Sequence, residues 1–205
     1  MKKFTRIISL AVGCLFAAAA LSGCGGSTAK PEAAPKQEQA AVAVSGLKAA
    51  EFDQPMLITS IGQSADAQMV KALAERNGLK FTYDVAAKPE ALTEAKTLVM
   101  VIGGSSKGMG AAGVNQSQEE ERAKALIAKA KEKNVKIIAM HVGGSARRGE
   151  LTDRFIPLIS GVNYLVVVAD GDKDKAFTNA VAGKAPVDYP ANIGDVGKYL
   201  KAAFK

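Results

Sequence analysis

Three short stretches gather side chains suited to gripping a small charged solute. They are 62-GQS-64, 103-GGSSKGMGAAGVN-115 and 141-HVGGSARRGE-150, and each follows an apolar run. Gly104, Gly143 and Gly144 let backbone N–H groups approach a ligand closely. Ser64, Ser105, Ser106 and Ser145 bring hydroxyl donors, and the start of a helix near Ser64 would present unpaired N–H groups. Lys107, Arg147 and Arg148 add full positive charges, and arginine grips a carboxylate or phosphate through two parallel hydrogen bonds. Gln63 and His141, the latter the only histidine of the chain, could sort a ligand's neutral polar atoms. The expected chemistry is capture of a small anion. Plainer roles stay open beside it. Residues 103–113 read equally as an exposed loop, and a lone histidine at a strand end is commonly structural. One of the two adjacent arginines would turn away and pair with Glu150 or Asp153, and Asp170 and Asp172 would do no more than cap a helix.

Complete catalytic signatures are missing. The P-loop pattern fails because Lys107 is followed by Gly108, no GxGxxG follows the first apolar run, and GxSxG is absent. A serine- and threonine-rich loop with aromatic stackers, as flavodoxins use to hold flavin, is missing as well. With one histidine and no clustered carboxylates, neither a metal nor a cofactor is expected. The enzymatic alternative is a hydrolase or transferase using His141 with a nearby serine, but no acid stands ready to orient the imidazole. Ligand binding without turnover is therefore the favoured reading. A noncatalytic partner of an envelope complex is the third.

These loops need a scaffold that brings them together, and the apolar periodicity supplies one. Strands are expected at 55–61, 79–86, 97–103, 135–141 and 164–170. Four are almost continuous in Val, Ile, Leu and Met, as in strands covered on both faces of a parallel sheet. The run 79–86 alternates, placing Leu79, Phe81, Tyr83 and Val85 on one face, as at a sheet edge. Amphipathic helices fall between them. Segment 64–77 presents Met69, Val70, Leu73 and Ala74 with Ser64 as N-cap, and 117–133 presents Ala123, Leu126, Ile127 and Ala130 behind a Ser117/Glu120 capping box. Further helices are expected at 172–183 and 192–204, a bent one at 152–160 around Pro157, and a turn or two at 88–95. Alternating strands and helices with right-handed crossovers give an α/β three-layer sandwich with a five-stranded, mainly parallel sheet. The arrangement resembles the flavodoxin-like, Rossmann-like folds, for which the order 2-1-3-4-5 is expected by analogy. Such a sheet delivers every strand's carboxyl end, and hence all three polar stretches, to one edge.

The N-terminus carries an address. Lys2, Lys3 and Arg6 precede the apolar run 7-IISLAVGCLFAAAAL-21, which has the length of a signal h-region and is short for a membrane span. It ends in 21-LSGC-24, which resembles the lipobox of bacterial lipoproteins. The resemblance implies removal of residues 1–23 and lipidation of Cys24, with diacylglycerol on sulfur and an acyl chain such as palmitate on nitrogen. Residues 24–50 read as a flexible tether poor in large apolar side chains, and 51–205 as one α/β domain. Cys14 would leave with the signal peptide, so no internal disulfide can form.

The formal charge of +7 falls to +4 once Lys2, Lys3 and Arg6 are removed. Interleaved acids in 119-EEERAKALIAKAKEK-133 suggest a solvated helix face, and aromatics are only 5% of the chain, so nucleic-acid binding is not expected. Together the lipobox, the tether and the motifs ITSIGQS, VIGGSSKGMG and HVGGSARRGE resemble a family of bacterial lipoproteins carrying a domain of unknown function. That resemblance implies the address and the fold and imports no activity. The expectation is an extracytoplasmic protein, periplasmic or outside the cell membrane, held by its lipid. Its partners would be a small anionic solute, the membrane and a transporter.

Overall fold

The computed structural model describes residues 46–205. The signal peptide, Cys24 and most of the expected tether lie outside the described residues.

Six strands form one sheet: β1 (Met56–Ile61), β2 (Phe81–Tyr83), β3 (Thr97–Ile102), β4 (Lys136–His141), β5 (Tyr164–Val167) and β6 (Val187–Asp188). Their order is β2-β1-β3-β4-β5-β6, and every neighbouring pair is parallel. The order 2-1-3-4-5 is present within it. The sheet has six strands rather than five, because the two residues of β6 pair with Leu165 and Val166 of β5. Two residues are too short to display any alternation in sequence. The α/β, Rossmann-like class is as the periodicity predicts.

Helices cover both faces. On one lie α1 (Asp66–Arg76) and α6 (Ile193–Ala203). Their Ala67, Val70, Ala74, Val196 and Leu200 bury Met56, Ile58, Val99, Val101, Ile138 and Met140. On the other, α3 (Gln116–Glu132) and α5 (Ala176–Val181) cover Leu57, Leu98, Met100, Ile102, Ile137 and Leu165. Adjacent strand residues thus enter opposite cores, and polar alternation is suppressed. The short helices α2 (Ser106–Ala111) and α4 (Glu150–Asp153) lie past the carboxyl ends of β3 and β4.

Several local expectations need correction. The capping box of α3 is made by Asn115 and Gln118, not Ser117 and Glu120, because the helix begins earlier. Helix α1 starts at Asp66, with the Ser64 hydroxyl accepting the Asp66 N–H at 3.2 Å. Met69 and Val85 are exposed rather than inward-facing. Residues 103–113 are not a plain loop. Ser105 caps α2 by accepting the Gly108 N–H, and a Cβ on Gly108 would lie 1.9 Å from the Gln63 carbonyl oxygen, so only glycine lets α2 sit there. Among the described residues no helix is long and apolar enough to cross a membrane.

Candidate functional site

The loops after β1, β3 and β4 meet at the carboxyl edge, as a parallel sheet requires. The first two are laced together by backbone. Gly103 N–H donates to Ile61 O at 2.9 Å and Ser105 N–H to Gly62 O at 2.8 Å. Gly62 has φ +98°, and a Cβ there would lie 2.5 Å from Gly103 O, which explains the glycine on both counts. Gly104 N–H donates to Thr152 Oγ1, whose hydroxyl donates in turn to Arg147 O, tying in α4.

Within this frame the expected ligand-gripping residues divide. Gln63 does not face solvent. Its φ is +59°, and its side-chain amide donates to both Glu119 oxygens at 3.1 Å. Glu119 also accepts the Gly62 N–H at 2.9 Å and pairs with Arg122 at 2.7 Å. Arg122 further donates to Ser60 O and Ala87 O, each at 2.6 Å. Glu119 is fully buried, so α3 is not a uniformly solvated face. Its first turn drives an ion pair into the sheet edge. The signal was present in the sequence: Glu119 stands four residues before Ala123 and continues the apolar stripe.

His141 is fully buried. Its Nδ1 lies 2.9 Å from Ile102 O and its Nε2 3.1 Å from Gly144 O, with the ring stacked on Phe177 at 4.6 Å between centroids. Both nitrogens face carbonyl acceptors and neither reaches a serine, so the ring ties β3 to the loop after β4. A neutral imidazole donates to only one of the two.

The arginines have different partners, Arg147 closing the 3₁₀ turn Gly144–Arg147 and Arg148 following it in extended conformation. Arg148 Nε donates to Asp153 at 2.7 Å and its Nη atoms grip Asp174 at 2.8 and 2.9 Å, with Gly171 O at 2.6 Å. Those hydrogen bonds hold the Asp174 carboxyl down at about 2. Arg148, Asp153 and Asp174 line a cavity of about 470 Å³ with Ile156, Pro157 and Ala176, away from the β1–β3 crevice. Ser145 donates to Asp170 at 2.7 Å, which lowers the Asp170 carboxyl, and Asp172 accepts the Phe177 and Thr178 N–H groups at the start of α5.

What remains directed at the edge is Arg147, with Lys107 and Ser106 exposed on α2. Arg147 sits on the 3₁₀ turn Gly144–Arg147, its side chain 45% exposed, with Nε 3.3 Å from Asp66 Oδ1. Asp66 is 2% exposed, and its Oδ2 has no hydrogen-bond partner among the described residues. A Cβ on Gly143 would meet Arg147 Cγ at 2.1 Å and Asp66 Oδ2 at 2.7 Å, and one on Gly103 would meet Oδ2 at 3.1 Å. Asp66 Oδ2 thus lies close to the backbone of two glycines, with the Arg147 stem against Gly143. In the sequence Asp66 is simply an acid in the first turn of α1, where the helix dipole alone would account for it.

A parallel six-stranded sheet with helices on both faces and polar loops at its carboxyl edge defines a Rossmann-like α/β domain. Residues 53–204 match the model of a domain of unknown function, DUF6305, and the chain belongs to that family. No curated protein and no solved structure matches the chain significantly.

Proposed function

We propose that this protein is a lipid-anchored, extracytoplasmic lipoprotein whose flavodoxin-like domain binds a small carboxylate- or phosphate-bearing solute at the carboxyl edge of the sheet. Cys24 would carry the lipid, the chain after it would hold the domain off the bilayer, and a membrane transporter would receive the solute. One observation carries this reading. Of the three arginines drawn to that edge, Arg122 and Arg148 are engaged by carboxylates and carbonyls, while the Arg147 side chain makes no hydrogen bond among the described residues. An exposed guanidinium above glycine-floored backbone is suited to an anion, with Lys107 adding charge from α2. Ser105, engaged as the cap of α2, retains its hydroxyl proton as a donor. The geometry favours binding over the alternative with His141 as base, since both ring nitrogens are turned inward onto carbonyls.

Calorimetric titration with acetate, propionate and inorganic phosphate tests the reading. At least one should bind the wild-type chain, and Arg147→Ala should weaken it about tenfold, the worth of a charge-assisted pair. Silence from all three, or unchanged affinity in the variant, overturns it. Cys24→Ala should move the chain from the membrane to the aqueous fraction.

A further inference from the structure

Asp66 lies beside Arg147 with its own hydrogen bonding incomplete. Its carboxylate and the Arg147 guanidinium form half a pair. Nε approaches Oδ1 at 3.3 Å without a hydrogen bond, whereas Oδ2 is buried and bare. The usual arginine–carboxylate geometry is a fork on a fork, with two parallel hydrogen bonds. Here neither partner completes it. The helix dipole at the start of α1 favours a negative charge at Asp66 but supplies no hydrogen bond to Oδ2. Neighbouring serines accept backbone N–H groups, Ser64 Oγ from Asp66 and Ser60 Oγ from Ser64, and neither hydroxyl is hydrogen-bonded to Oδ2. Among the described residues Asp66 Oδ2 is the buried side-chain oxygen left without a partner. A buried acceptor without a donor is costly, and such atoms in folded proteins call for a specific explanation.

The surroundings show where a donor would come from. Gly103 and Gly143 both approach Oδ2: a Cβ at 143 would meet the Arg147 stem and Oδ2, and one at 103 would meet Ser64 Oγ at 2.6 Å and Oδ2 at 3.1 Å. The Arg147 stem stands at the same place, since a Cβ on Gly143 would meet both its Cγ and Oδ2, and the side chain makes no hydrogen bond among the described residues. Turned toward a solute, it would leave a cation beside the Asp66 anion. A solute with only a carboxylate would satisfy the guanidinium and leave Oδ2 bare. A solute with a donor next to its carboxylate completes both halves.

We propose that Asp66 reads a hydrogen-bond donor on the carbon adjacent to the solute's carboxylate, so that the ligand is an α-hydroxy or α-amino acid rather than a simple anion. This rests on the anion site at Arg147 and deepens it. Arg147 takes the carboxylate, Asp66 Oδ2 accepts from the hydroxyl or ammonium, and the ligand replaces the incomplete ion pair with two charge-assisted contacts. Both residues here act by touching the ligand.

An isosteric series tests the idea: propionate, L-lactate and L-alanine differ only in hydrogen, hydroxyl or ammonium on the second carbon. Dissociation constants would be read by ligand-observed NMR titration of the full chain. Lactate or alanine should bind about tenfold tighter than propionate, since a hydrogen bond to a charged acceptor is strong, and the tighter of the two identifies the donor. In Asp66→Asn that ratio should fall toward one. If the variant does not fold, Arg147→Gln, on an exposed side chain, serves instead. It should weaken lactate and propionate alike while preserving their ratio. Equal affinities across the series in wild type would overturn the role of Asp66 and leave the anion site standing. No binding by any member would overturn both.

Discussion

Glu119 offers the sharpest test of how the edge is built. It is fully buried, accepts from Gly62 N–H, Gln63 Nε2 and two nitrogens of Arg122, and lies beside a guanidinium that is itself 11% exposed. Glu119→Ala removes every one of those acceptors at once. It leaves Arg122 as a nearly buried cation with only the Ser60 and Ala87 carbonyls, orphans the Gly62 N–H, and leaves the Gln63 amide with only Val85 O at 3.4 Å. Removing one partner of a buried pair costs about 3–5 kcal/mol, a large share of the roughly 5–15 kcal/mol that holds an ordinary domain. For a domain of this size the melting temperature should fall by about 10 °C. Urea unfolding of the wild-type and variant chains, with linear extrapolation, measures the loss. The double variant Glu119→Leu/Arg122→Met should be less damaged than Glu119→Ala, since it leaves no unpaired charge. A loss below about 1 kcal/mol, or a double variant worse than the single, would refute the claim that this pair organises the loop after β1.

Three further outcomes follow from the same geometry. Gly62→Ala should cost more than Gly78→Ala in the same unfolding assay: both have positive φ, but only at Gly62 would the new methyl strike backbone, 2.5 Å from Gly103 O, while Gly78 faces open space. His141→Phe keeps the stack on Phe177 but strips Ile102 O and Gly144 O of their facing nitrogens, so stability should drop by about 1–3 kcal/mol with propionate binding little changed. On the acid side, Arg148 holds the Asp174 carboxyl at about 2, below the roughly 4 of an unfolded chain. A depressed carboxyl contributes stability that is complete above about pH 4 and is lost as pH falls through 2. Arg148→Met should therefore flatten that part of the stability–pH curve, and an unchanged slope would contradict the assignment.

Five of the six strands, the layers and the meeting of three polar loops were legible in the residues; the two-residue β6 was not. Continuous apolar runs such as 97-TLVMVI-102 require cover on both faces, and parallel strands then deliver their loops to one edge. Glycine at 62 has its own physical reason, a positive φ and Gly103 O standing where a Cβ would be. The character of the site was less legible. A list of cations and hydroxyls past strand ends suggested a positive rim, yet Gln63 and Arg148 are engaged by Glu119, Asp153 and Asp174, and His141 by two carbonyls. Asp153, five residues from Arg148, was assignable from proximity, but Glu119 lies 56 residues from Gln63 and Asp174 26 from Arg148, beyond what proximity can assign.

Sequence by itself determined the class of fold and which segments share an edge, because burial pattern and strand direction depend on local periodicity. Tertiary structure decided which charges remain available there. An ionisable group's partner is set by where distant helices dock, and that docking left Arg147 and Asp66 facing each other with their pairing incomplete.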